Sequence, residues 1–266
     1  METAVSQLSL PTYIDSSMLS TWRACRRKFF WSHVNSLYPS GKSVHLIAGG
    51  AFAAGMEAAR KLAFAPNRDN RPTHDDLLEA AFRAFLVEWG DYESPEDSPK
   101  SFSNTFEALA WYLLKYPPAE DVVQPFIRSN GEPTVEYTFA IPVTEGPKHP
   151  ETGDPFLFVG RFDLLGRYGD LNCIQDEKTT SGLGFNWMHQ WRLRGQFMGY
   201  LWACQQTGYP EVSTAVIRGI AIMKTDYKDA IVIEQYPQFL VERWYKLLLH
   251  DLHQIVTAYK CMQHEI

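Results

Sequence analysis

A chain of 266 residues with 45% hydrophobic and 21% charged side chains can bury one large core or two small ones, and its composition excludes a disordered or fibrous protein. No run of about 18 apolar residues occurs, which excludes a transmembrane helix, and residues 1–10 lack the basic head and apolar core of a secretory signal, so cytoplasmic residence is expected. A net charge of −6 excludes a surface coated in basic residues but leaves room for a local basic groove.

The first half reads as helical. Ser20 can cap a helix over residues 21–35, with Trp22, Cys25, Phe29 and Phe30 at apolar positions and the basic cluster Arg23, Arg26, Arg27 and Lys28 between them. An Ala-rich helix is expected over residues 44–63, with Gly49 and Gly50 allowing close approach. Thr73 or Asp75 can cap a third helix ending near Trp89. Residues 91–100, rich in Pro, Ser and acid, read as a loop. A fourth helix over 103–116 is stopped by Pro117 and Pro118.

The pattern then changes. Val135, Tyr137, Phe139 and Ile141 alternate within residues 133–143, which predicts a strand. Strands follow at 156–166 and 171–178, joined by a tight turn at Gly169-Asp170. One periodic helix is expected over 187–206, then strands at 213–224 and 230–234. Pro237 opens a closing helix that ends near Tyr259. The order predicts an α/β sandwich with a mixed central sheet and an N-terminal helical elaboration. The whole of 1–266 is expected to form a single domain, with 1–120 as the helical part and 131–266 as the α/β core. The four cysteines are dispersed, without a C-x-x-C pair, and read as free and mostly buried thiols.

The chemistry concentrates in two neighbouring strands. Asp163 ends an apolar run, and thirteen residues later Asp176 and Lys178 stand two apart. Strand alternation points Asp176 and Lys178 to one face and Glu177 to the other. A hairpin at Gly169 brings Asp163 beside Asp176. Adjacent carboxylates repel unless a cation lies between them, and a hard ion such as Mg²⁺ or Mn²⁺ suits oxygen ligands. A lysine beside them can hold a water or stabilise a phosphoryl transition state. Asp226-Tyr227-Lys228 repeats the acid-x-lysine spacing without an upstream acid and reads as a solvated turn. Arg192, Gln196 and Tyr200 recur every four residues, a polar stripe suited to phosphate or sugar, with Arg194 adding charge.

These motifs together resemble the PD-(D/E)XK nuclease superfamily, in particular its RecB-like domains, CRISPR adaptation nucleases and phage exonucleases. Residues 16–20 with Cys25 to Phe30 are similar to the family's N-terminal signature. Gly160 to Asp163 is similar to its metal-binding strand, Asp176-Glu177-Lys178-Thr179 to its (D/E)-x-K motif, and Gln196 with Tyr200 to its Q-x-x-x-Y motif. The resemblance implies a restriction-endonuclease-like fold with Asp163, Asp176 and Lys178 as catalytic residues. Asp163 and Asp176 would hold Mg²⁺ or Mn²⁺. It further implies DNA contact through Gln196, Tyr200, Arg192, Arg194, Arg26, Arg27 and Lys28. Relatives often carry a metal-binding His where this chain has Ala53, between Gly49 and Glu57; Glu57 or Glu136 can compensate. Only Cys261 lies near the C-terminus to join Cys25, so no iron–sulfur cluster is expected.

The implied activity is a metal-dependent DNA exonuclease of recombination, repair or phage DNA metabolism, acting in the (host) cytoplasm, with DNA and a recombination or replication protein as partners. A weakened nuclease fold that binds DNA or protein without cutting is the alternative. No phosphate-loop motif is present, so the chain has no helicase motor of its own.

Overall fold

The computed structural model describes residues 9–38, 41, 43–66, 71–95 and 97–264. The start of the N-terminal segment, and Glu96 of the 91–100 loop, lie outside the described residues. A short strand β1 (Tyr13–Ile14) leads into α1 (Ser16–Ala24), α2 (Arg26–Phe29) and one π turn (Phe30–Val34). Three longer helices follow: α3 (Val44–Ala63), α4 (His74–Trp89) and α5 (Phe102–Lys115). Then come β2 (Val123–Pro125), β3 (Val135–Pro142), β4 (Leu157–Tyr168) and β5 (Leu171–Thr180). Helices α6 (Phe185–His189) and α7 (Gly195–Gln206), strands β6 (Thr214–Ile222) and β7 (Tyr227–Gln235), and α8 (Gln238–His264) complete the chain.

Seven strands form one mixed sheet. Strand β4 is its hub, antiparallel to β2, β3 and β5 and parallel to β1, while β5 and β6 run parallel and β7 closes antiparallel. Helices cover both faces. Phe158, Phe162, Ile174 and Ile217 of the sheet share the largest core with Trp22 of α1, Phe197 and Leu201 of α7, and Trp244 and Leu248 of α8. On the other face α3, α4 and α5 pack through Phe52, Phe85 and Leu109 onto Ile220 and Ile222 of β6. The helices of the first 120 residues are thus shared between the two faces. No helix of the described residues is long and apolar enough to cross a membrane.

Several elements form for readable reasons. Thr73 caps α4 in a reciprocal capping box with Asp76, and Ser43 caps α3. Gly169 makes the β4–β5 turn at φ +55°, a conformation other residues resist.

Other expectations need correction. Asp15, not Ser20, caps the first helix, its carboxylate accepting from the Ser17 and Met18 amides at 2.7 Å each. That helix stops at Cys25, whose backbone is extended (φ −162°), so 21–35 is not continuous. The neighbouring residues are pinned to α8 instead, Arg23 to Asp251 and Arg26 to Gln254. The helix expected over 187–206 is likewise broken into α6 and α7; Trp187 and Trp191 continue the apolar spacing across the break, and the Tyr236 hydroxyl donates to the Trp191 carbonyl at 2.6 Å beside the Arg194 amide at 2.9 Å. Strands β1 and β2 are too short to carry a sequence signature. Of the cysteines, Cys173 and Cys204 are buried, while Cys25 and Cys261 are exposed.

Candidate active site

The site is a fork in the sheet. Pairing between β4 and β5 runs from Tyr168↔Leu171 to Leu164↔Gln175 and stops there. Beyond that point β4 stays paired with β3 as far as Leu157, while β5 stays paired with β6 as far as Thr180. On the edge of β4 that faced β5, the next partner is β1, at Leu157 and Phe158. Among the described residues, 159–163 therefore have no strand on that edge. Asp163 and Asp176 are the next pair in register after Leu164 and Gln175, at the point where the strands part.

Asp163 is tied across the fork: its Oδ2 accepts the Glu177 amide at 2.9 Å. Asp176 Oδ2 meets Lys178 Nζ at 2.7 Å, and its Oδ1 accepts Gln196 Nε2 at 3.2 Å. The same Gln196 amide reaches the Tyr200 hydroxyl at 3.3 Å. Asp176, Lys178, Gln196 and Tyr200 thus form one connected group on the α7 side of the sheet. Glu177 points the opposite way, toward α3 and α5, as strand alternation requires. The Lys178 side chain is 35% exposed against 3% for Asp176, so the ammonium is the part of the pair that can meet a ligand.

Electrostatics follow from this burial. Desolvation, then the neighbouring Asp176 charge, push the Asp163 carboxyl well above the ordinary range, against the pull of Lys178. Asp176 is also raised, by burial first, with Lys178 opposing. Burial works against the Lys178 charge, but Asp176 and Asp163 outweigh it and hold the ammonium protonated above its usual range. Two desolvated carboxylates with one ammonium carry an excess of negative charge. Asp176 Oδ2, although ion-paired, receives no hydrogen bond of good geometry. That donor set fits a hard divalent cation.

Each of the two compensating acids is paired with a cation of its own. Glu57 pairs with Lys61 one turn along α3, and Glu136 pairs with Arg161 at 2.5 Å. Among the described residues no three His, Cys, Asp or Glu side chains converge on one metal position. Glu136 is nonetheless unusual. It stands opposite Asp163 where the β3–β4 ladder skips a pair, at φ +51° for a non-glycine residue, and burial lifts its carboxyl to about 7. Helix α3 bridges the fork from this side, touching both β3 and β5. A Cβ on Gly49 would lie 3.5 Å from Thr179 Oγ1, and Glu57 lies near enough to raise Glu136. Ala53 sits half-buried between them on the same helical face; Gly50 instead turns to Glu88 of α4.

A groove of about 1010 Å³ opens beside the unpaired stretch of β4, lined by Val159, Gly160, Gln196, Tyr200, Arg194, Lys28 and residues of α1. Gly160 is required there, since a Cβ would lie 2.5 Å from Phe139 and 3.2 Å from Tyr200. Of the basic residues singled out from the sequence, Arg23, Lys28 and Arg194 line this groove, Arg23 being paired with Asp251 of α8. Arg26 and Arg27 line a separate apolar cavity of about 230 Å³ against α8. Arg192 lies in the turn before α7, exposed and off the helix, so it does not extend the Gln196–Tyr200 stripe. Asp226 and Lys228 form a loose exposed pair, 3.7 Å apart, at the β6–β7 turn. Sequence reasoning missed Arg60, which grips the Glu177 carboxylate from α3 with two hydrogen bonds of 2.9 and 2.6 Å.

The family model that matches the chain is that of the PD-(D/E)XK nuclease superfamily, over residues 16–263. No curated protein matches the chain.

Proposed function

Since the chain belongs to the PD-(D/E)XK nuclease superfamily, whose restriction-endonuclease-like fold its mixed sheet shares, we propose that it is a metal-dependent DNA nuclease acting at the β4–β5 fork. The observation that carries this reading is the meeting of Asp163, Asp176 and Lys178 where the two strands part. Asp163 and Asp176 would hold Mg²⁺ or Mn²⁺. When bound, such a cation offsets charge on a phosphoryl oxygen and makes water a competent nucleophile near neutral pH.

The chain's own groups do the rest. Lys178, kept charged by both aspartates, orients the attacking water and stabilises the charge that develops on the phosphate. Gln196 fixes the Asp176 carboxylate through one oxygen and, with Tyr200, faces the groove that would receive the DNA backbone. Lys28, Arg194 and Arg23, against one lining acid, Asp15, give that groove a basic lining in a protein of net charge −6. Exonuclease action in recombination, repair or phage DNA metabolism is the role assigned, with DNA as partner.

The test is cleavage of end-labelled single- and double-stranded DNA with Mg²⁺, with Mn²⁺ and with EDTA. Cutting from ends in either metal, absent in EDTA, is expected, with covalently closed circles left intact. Cutting that persists in EDTA would sink the metal-dependent reading. A second reading, a DNA-binding module that no longer cuts, is favoured by the engagement of Glu57 and Glu136 with Lys61 and Arg161. Tight binding without cutting in any metal would support it.

The groove makes a separate prediction. Arg194→Ala should flatten the dependence of DNA affinity on salt by roughly 0.7–0.9 logarithmic unit, the contribution of one phosphate contact. Arg192→Ala, outside the groove, should leave the slope unchanged. Equal effects of the two would show that DNA does not follow this groove.

A further inference from the structure

Three basic side chains are buried near the catalytic strand, and two of them have a carboxylate. Arg60 is gripped by Glu177 and Arg218 by Asp121. The third, Lys100, is 3% exposed, and no carboxylate of the described residues forms an ion pair with it. Among the described residues its ammonium donates one hydrogen bond, to Thr179 Oγ1 at 3.1 Å, out of the three it can make. Burial lowers its pKa, and among the described residues no acid opposes this. Lys100 also directly precedes Ser101, the N-cap of α5, where the positive end of the helix adds to the cost of a cation.

A desolvated, uncompensated ammonium is costly to a fold, and a tie between the 91–100 loop and β5 would not need the charge. Position supplies a use for it. Thr179 follows Lys178 on β5, three residues or about 10 Å beyond Asp176. It flanks the fork on the α3 side, beside Gly49. We propose that Lys100, with the Thr179 hydroxyl, binds a backbone phosphate of the nucleic acid next to the one that is cleaved. The inference rests on the nuclease reading and adds to it a phosphodiester subsite on the α3 side of the sheet, opposite the Gln196 groove. A phosphate there supplies the missing counter-charge and accepts the two unused N–H bonds.

The test compares the full-length protein with Lys100→Met, which keeps the apolar stem, and Lys100→Gln, which keeps a donor for Thr179. Affinity for an oligonucleotide is measured in EDTA across a salt series, alongside the melting temperature. Both variants should melt at or above the wild-type temperature, because an uncompensated buried charge has gone. Both should bind DNA about tenfold more weakly, with the salt slope reduced by roughly 0.7–0.9 unit. Lys100→Arg should recover most of the binding. Wild-type affinity and slope in Lys100→Gln would overturn the proposal. So would failure of both neutral variants to fold, which would make Lys100 a structural tie. A wild-type protein that neither binds nor cuts DNA would instead remove the nuclease reading, and this subsite with it.

Discussion

Asp163→Asn is expected to lower DNA cleavage at least about a thousandfold, roughly 4 kcal/mol of barrier, while raising the melting temperature of the metal-free protein. Both effects have one cause. The Asp163 carboxylate is buried beside Asp176, so its folded-state pKa lies above the unfolded value. For an acid shifted this way, the folded state binds more protons than the unfolded one between the two pKa values. The contribution of Asp163 to stability is therefore greatest at low pH and falls as pH rises through the unfolded value of about 3.9 toward the folded one. Asparagine still accepts the Glu177 amide but carries no charge. Its advantage in EDTA should be present at neutral pH and vanish below about pH 4. Asp176→Asn and Lys178→Met should lose cleavage on the same scale. Lys178→Met should also melt lower, because it leaves both carboxylates without their ammonium. Thermal melts in EDTA and single-turnover cleavage in Mg²⁺ or Mn²⁺ measure the two effects. Near wild-type cutting by Asp163→Asn would end the assignment of this site. Asp226→Ala and Lys228→Ala, in the exposed repeat of the spacing, should be nearly silent.

The fork explains which parts of the site could be read from the sequence. Asp163, Asp176 and Lys178 were legible because strand alternation and one Gly169 turn suffice to put them together, and both are local properties. The opposite orientation of Glu177 followed from the same alternation. The α3 helix, expected at about 44–63 from its Ala-rich run, was legible too; its Ser43 cap was not singled out. Arg192 was misplaced because the break between α6 and α7 has no Pro and holds Trp191, which keeps the helical period from Trp187 of α6; the bond from Tyr236 that stabilises it comes from a distant element. Cys25 hides a break for a similar reason, with the flanking arginines held by α8. The unpaired stretch of β4 left no mark, since Val159 and Phe162 read like any paired strand. Nor did the left-handed Glu136, a conformation set by the sheet around it rather than by its own preference.

What holds the fork open also holds it in place, and the consequence is a large loss on breaking one buried pair. Arg60→Met should destabilise the protein by about 3–5 kcal/mol, a fall in melting temperature on the order of 10 °C. The Arg60 and Glu177 side chains are only 4% and 5% exposed, so removing the guanidinium leaves the carboxylate desolvated and uncompensated. The Tyr112 hydroxyl donates to the same carboxylate at 3.0 Å and accepts from Arg218 at 3.1 Å; Arg218 in turn grips Asp121. Two cations and two anions are thus joined from α3 through β5 and α5 to β6, and losing one member unbalances the set. Neutralising both partners together should cost far less, since a buried ion pair often adds little over apolar packing of similar volume. Arg60→Met with Glu177→Leu should therefore recover most of the melting temperature. Cleavage should recover less. The Glu177 amide carries Asp163 across the fork, and its flanking residues are Asp176 and Lys178, so the lost anchor loosens the geometry of all three. A double variant that regains stability yet keeps a lowered turnover rate, with substrate affinity unchanged, is the expected result. Full recovery of turnover with stability would reduce the Arg60–Glu177 pair to support of the fold alone.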